Sequence, residues 1–201
     1  MGIFQICMIE ELRFTPSFDL DAIYGGAIQW VETGTFADYY DYFDWFPNNL
    51  GGLCYYYILF KVCSVFSRDY FFIAACANEV LILSTFAFII LSVEKLWGRR
   101  YGLIAMALTG CLPPLLFMTD VFYTDSLSIL FPILLFYLSL RIDESSGVKS
   151  WKLCVFSGLV AVLGIFIKAT VLIMVAAVCL SFCLRKKWKK AFLASENRIK
   201  Q

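Results

Sequence analysis

An all-α polytopic membrane protein is the fold class this sequence predicts, and three observations predict it. The 201 residues are 61% hydrophobic and 18% aromatic, with a mean hydropathy of +0.75. Soluble domains are about 45–50% apolar. The apolar residues gather into runs long enough for helices, at 50–66, 70–93, 101–119, 121–140, 153–167 and 169–184. The charges, nearly balanced at a net +1, are segregated by position. Eight acids and one base (Arg13) occupy residues 1–49, whereas seven bases and one acid (Glu196) occupy 185–201. Under the positive-inside rule the acidic segment lies outside and the basic tail in the cytoplasm.

Each element follows in order. Residues 1–49 read as an acidic extracytoplasmic loop. No basic stretch precedes "IFQICMI", and Glu10 and Glu11 follow it, so no signal peptide is read there. A membrane-spanning helix needs about 20 residues. Run 50–66 is split by Lys61, which leaves eleven uncharged residues before it, and Tyr55, Tyr56 and Tyr57 suit a headgroup layer. It is therefore expected as an interfacial amphipathic helix. Residues 70–184 form the transmembrane bundle, of about five spanning helices by the count of apolar runs. Runs 153–167 and 169–184 read as a hairpin that turns at Lys168 and holds the ammonium at an interface rather than in lipid. The basic tail is 185–201. Counting spans back from it puts Lys168, "TDVFYTD" (119–125) and the acidic segment on one outer side, and "KLWGRR" and "RIDESSGVKSWK" inside.

Composition also excludes chemistry. The chain has no histidine, which removes histidine triads and histidine–zinc motifs and leaves a carboxylate or lysine as base. Its eight cysteines lack metal-ligand spacing and read as small core residues. Nucleic acid is not an expected partner; the lipid bilayer is. The charged residues among apolar runs are the candidates. Asp19 or Asp21 can serve as base toward an acceptor hydroxyl. Asp120 or Asp125 can hold a divalent cation such as Mg or Mn, or orient a sugar hydroxyl, and Lys168 can meet a phosphate. Each has a plainer reading: Asp120 and Asp125 as helix caps, Lys168 as an interface lysine. Likewise Asp38, Asp41 and Asp44 read as a solvated face, "YYDYFDWF" (39–46) as interfacial anchoring, and Asn78 as the donor of an interhelical hydrogen bond. Asp120 needs the least explanation on this count, being placed in an outward turn, and Asp125 the most, a turn further into the apolar run.

The order "TPSFDLDAIYGGA", "YFDWFPNNLGG", "LPPLLFMTDVFYTDSLSILFPILLFYLSL" and "GLVAVLGIFIKATVLIMVAAV" resembles GT-C fold membrane glycosyltransferases that use polyprenyl-phosphate sugars. Protein O-mannosyltransferases and aminoarabinose transferases belong to that group, and the resemblance, over about residues 12–185, is closest to the Gram-positive bacterial type. It implies a catalytic base at Asp19, with Asp21 as rival, and assistance with metal or substrate from Asp125, with Asp120 and Tyr123 nearby and Lys168 on the donor. It further implies a multi-pass protein of a bacterial plasma membrane, a lipid-linked sugar donor, and an N-terminal fragment whose missing helices a second chain is a candidate to supply. Rival readings are a transporter or channel fragment with these charges along an ion path, and a non-catalytic membrane assembly protein. The absence of an internal repeat and the placement of the charges at run ends count against the transporter.

Overall fold

In a computed structural model the protein is described over residues 2–112 and 119–184. The basic tail and "PPLLFM" (113–118) lie outside the described residues. The described chain is all helix and turn, as expected. The helices are α1 (Gly2–Glu11), α2 (Phe18–Thr33), α3 (Tyr40–Trp45), α4 (Leu50–Cys63), α5 (Tyr70–Trp97), α6 (Arg99–Gly110), α7 (Thr124–Ser128), α8 (Leu130–Glu144), α9 (Gly147–Ile167) and α10 (Val171–Leu184).

Three stretches are long and apolar enough to cross a membrane among the described residues: Tyr70–Trp97, Thr124–Glu144 and Gly147–Ile167. The expected number was about five. Run 169–184 yields 14 helical residues, Val171–Leu184, up to the end of the described residues, about 21 Å at 1.5 Å per residue. Run 101–119 falls partly in the 12-residue helix Arg99–Gly110, and its remainder lies mostly outside the described residues. Helix α4 is also 14 residues long and too short to span.

The first 49 residues, expected as a loop, are largely helical, because their apolar residues have a surface to cover. Ile9 on α1 and Ile23 and Ala27 on α2 join one core with Leu53, Tyr56 and Phe60 of α4 and Phe71, Ala74 and Ala75 of α5. The tyrosine cluster expected at a headgroup layer is divided. Tyr56 is fully buried and donates to the carbonyl of Phe122 at 2.8 Å, while Tyr57 stacks on Trp30 with ring centroids 4.1 Å apart. Arg13 ties this segment to the start of α5, its Nη2 donating to Asp69 at 2.6 and 2.7 Å.

Helices α5 and α8 run side by side in one direction. Phe71 meets Phe122 near one end, and Lys95 pairs with Glu144 at the other. Helix α9 returns and α10 leaves again, so the hairpin expected at Lys168 forms. Its tight packing is visible at Gly164, where a Cβ would lie 2.8 Å from the Cβ of Phe131. The end of α9 presses on the start of α4: a Cβ on Gly51 would sit 1.9 Å from the carbonyl oxygen of Phe166. That contact brings the Lys168 turn against the α2–α4 layer.

Candidate active site

Four of the sequence-predicted residues converge where the hairpin turn meets the first helices. Asp19 and Asp21 lie in the first turn of α2. Tyr123 is the residue before α7, in extended backbone with φ −91 and ψ 172. That conformation turns its ring out to Asp19, and its hydroxyl donates to Asp19 Oδ2 at 3.2 Å. The Lys168 ammonium lies 5.7 Å from the centroid of the same ring, within cation–π range, and pairs with Asp125. One aromatic ring thus has a carboxylate at its hydroxyl and an ammonium over its face.

Two further residues complete the network. Asn49, 3% exposed, donates Nδ2 to Tyr42 Oη at 2.5 Å and to Tyr123 Oη at 3.3 Å, which ties both phenols to one amide. Burial pushes the Tyr42 phenol up, and the neighbouring Asp19 adds to this. The Tyr123 phenol is likewise pushed up by burial, against the bond from Asn49. Both phenols therefore keep their protons at neutral pH, and Tyr123 donates its own to Asp19. Asp19 itself is exposed. The preceding residue, Phe18, takes a φ of +52, a left-handed conformation that costs an aromatic residue about 1–2 kcal/mol. The strain falls on the residue that aims Asp19.

Asp21 belongs to a neighbouring contact. Tyr39 lies beside it and is pushed up first by burial and then by that carboxylate's charge. The Tyr39 hydroxyl crosses α2 over Gly25, where a Cβ would be 2.3 Å away.

Asp120 and Asp125 exchange the environments expected of them. Asp125 was the carboxylate placed deeper in the apolar run, yet its side chain is 64% exposed and paired with Lys168. The reason is that α7 begins only at Thr124, which leaves Asp125 in an open first turn. Asp120 is 4% exposed, neither of its carboxylate oxygens has a hydrogen-bond partner, and burial pushes its pKa up to about 6. It caps no helix. Its neighbour Thr119 enters the bundle, accepting at its carbonyl from Asn78 at 2.9 Å and donating to Glu79 Oε2 at 2.9 Å. Asn78 was expected to bond across to another helix; it donates instead to a turn residue in the segment before α7.

Among the described residues no group of three or more acidic or thiol side chains could hold a metal, and Asp125 already faces an ammonium.

Sequence reasoning did not single out Tyr42 and Asn49 as site residues. The signal was present in "YFDWFPNN": a tyrosine seven residues before an asparagine, joined by a turn at Pro47. The aromatic stretch read there as anchoring has mixed duties, since Tyr42 serves the site, Phe43 is buried, and Trp45 is 79% exposed.

Behind Asp125 and Lys168 a cavity of about 330 Å3 opens between α5, α7, α8 and α10. Ile82, Ile129, Pro132 and Val171 form its apolar wall, and Asp125, Ser126, Ser128 and Thr170 its polar one.

Comparison with known proteins places residues 52–197 in the dolichyl-phosphate-mannose-protein mannosyltransferase family. That stretch contains Tyr123, Asp125 and Lys168; Asp19, Tyr42 and Asn49 precede it, so their part in the site rests on geometry alone. Comparisons with curated proteins and with solved structures find no match. The matched stretch covers well over half of the chain, and the protein belongs to this family of membrane glycosyltransferases.

Proposed function

We propose that the chain serves transfer of a sugar from a polyprenyl-phosphate donor to an acceptor hydroxyl at the outer face of a bacterial plasma membrane. One observation carries the reading: Tyr123 holds Asp19 at its hydroxyl and Lys168 over its ring. A base and a phosphate-binding cation are thereby set on either side of one short gap. Asp19 takes the proton of the acceptor hydroxyl as its oxygen attacks the anomeric carbon. The bond from that carbon to the phosphate oxygen breaks, and the departing polyprenyl phosphate carries its charge to Lys168. Asp125 holds the ammonium at the turn until the phosphate arrives and then is free to accept from a sugar hydroxyl. The apolar wall of the neighbouring cavity suits the first isoprene units, and its polar wall suits the sugar.

The test is transfer of radiolabelled sugar from polyprenyl phosphate in proteoliposomes, with Asp19→Asn, Asp21→Asn, Asp125→Asn and Lys168→Met. Loss of a general base costs about 10²–10⁴-fold. Asp19→Asn should fall in that range, and Lys168→Met should lose turnover with it. Wild-type transfer by all three aspartate variants would overturn the assignment.

A further inference from the structure

A second polar cavity, of about 420 Å3, lies at the junction of α2, α4 and α5. It is lined by Val31, Glu32, Lys61, Ser64, Arg68 and Tyr70. Lys61 and Arg68 are both exposed, and neither forms an ion pair with a described residue; the four pairs there are Arg13 with Glu10 and with Asp69, Lys95 with Glu144, and Lys168 with Asp125. Glu32 leaves the cavity with a net charge of +1. The turn that carries these bases is also strongly apolar on its outside: Val62, Val65 and Phe66 are 62%, 79% and 89% exposed. Directly after it begins α5, a helix able to span a bilayer. Large apolar side chains pointing outward beside unpaired cations, at the start of a spanning helix, match headgroup depth, where apolar groups enter the acyl region and cations reach phosphates.

We propose that this cavity seats the phosphate of an anionic phospholipid, with Lys61 and Arg68 as its two cationic contacts and Val62, Val65 and Phe66 set into the surrounding leaflet. The site is separate from the Asp19 network and does not depend on the sugar-transfer reading. It would fix the height of the α2–α4 layer relative to the bilayer.

The full chain, purified in dodecyl maltoside, is titrated with phosphatidylglycerol or phosphatidylcholine, and retained lipid is counted by native mass spectrometry. Two cations near a headgroup are together worth about 2 kcal/mol. Phosphatidylglycerol should therefore be retained at least about tenfold better than phosphatidylcholine. The double variant Lys61→Gln/Arg68→Gln should bring it down to the phosphatidylcholine level, with the helical circular dichroism unchanged. Lys61→Arg/Arg68→Lys should restore it. Equal retention of the two lipids by the wild type overturns the proposal, as does undiminished phosphatidylglycerol retention by the glutamine variant. Displacement of the lipid by an equal concentration of inorganic phosphate overturns the lipid as the occupant.

Discussion

Tyr123 donates its hydroxyl to Asp19 across 104 positions of sequence, at 3.2 Å. The bond joins the segment before α7 to the first turn of α2. Because the same ring lies under Lys168, its two ends can be tested apart. Tyr123→Phe keeps the ring and removes the donor, so transfer should fall by about tenfold, the worth of one hydrogen bond to a charged group at its low end. Tyr123→Leu removes both and should fall further. Asn49→Leu leaves two phenols without their common donor and should reduce thermal stability by about 1–3 kcal/mol as well. Transfer assays and melting curves on the three variants check the order.

Gly51 sets the depth at which α9 meets α4. A Cβ there would stand 1.9 Å from a backbone oxygen, which cannot rotate aside as a side chain would. Gly51→Ala should therefore cost at least about 1–3 kcal/mol and reduce transfer by moving Lys168 away from Tyr123. Gly158, also within α9, has nothing within 4 Å of the position of a Cβ. Gly158→Ala should raise stability by about 0.5–1 kcal/mol, the helix preference for alanine. Opposite signs for two identical substitutions, read by thermal denaturation in detergent, separate close approach from propensity.

Asp69 serves two partners at once, capping α5 through the Phe72 amide at 3.1 Å and receiving Arg13. Burial pushes its pKa up, but the bond from Arg13 and the cap outweigh this and hold it below the usual carboxylate value. A lowered native pKa means that this stabilisation is present above the unfolded value, near 3.8, and is lost as pH falls through the native one. Asp69→Ala should lose about 1 kcal/mol from the cap at pH 7. The loss should shrink toward zero in strong acid, as urea melts at several pH values would show.

How much of this was readable beforehand depended on whether a residue's surroundings are local. Run 70–93 and the hairpin at Lys168 followed from length, hydropathy and one interrupting charge, all properties of a single stretch. The helicity of residues 1–49 was missed because its apolar residues are sparse in sequence and become a face only against α4 and α5. Tyr56 was assigned to a headgroup layer because a tyrosine cluster by itself does not reveal the Phe122 carbonyl, 66 positions away, that satisfies one hydroxyl. Asp19, Tyr123, Asp125 and Lys168 were named from charge and motif. Asn49, which donates to Tyr123, was not, since an asparagine two residues after a proline reads equally well as part of a turn.

Asp120 supplies the sharpest pH test. The native carboxyl is buried without a partner and titrates at about 6, against 3.8 when unperturbed. Between those values the native state binds more protons than the unfolded one, so stability falls as pH rises from about 4 to 6 and levels off above. The full cost of ionising Asp120 is then present at pH 7.5 and absent at pH 4. Moving a pKa that far corresponds to roughly 2–3 kcal/mol. Asp120→Asn removes the ionisation and keeps the shape, so its melting temperature should exceed that of the wild type at pH 7.5 and approach it at pH 4. A variant melting at the same temperature as the wild type throughout that range would show that the buried carboxylate carries no such cost. Asp125→Asn, exposed and beside Lys168, should show no gain at pH 7.5, which separates the two aspartates by experiment as the fold separates them in space.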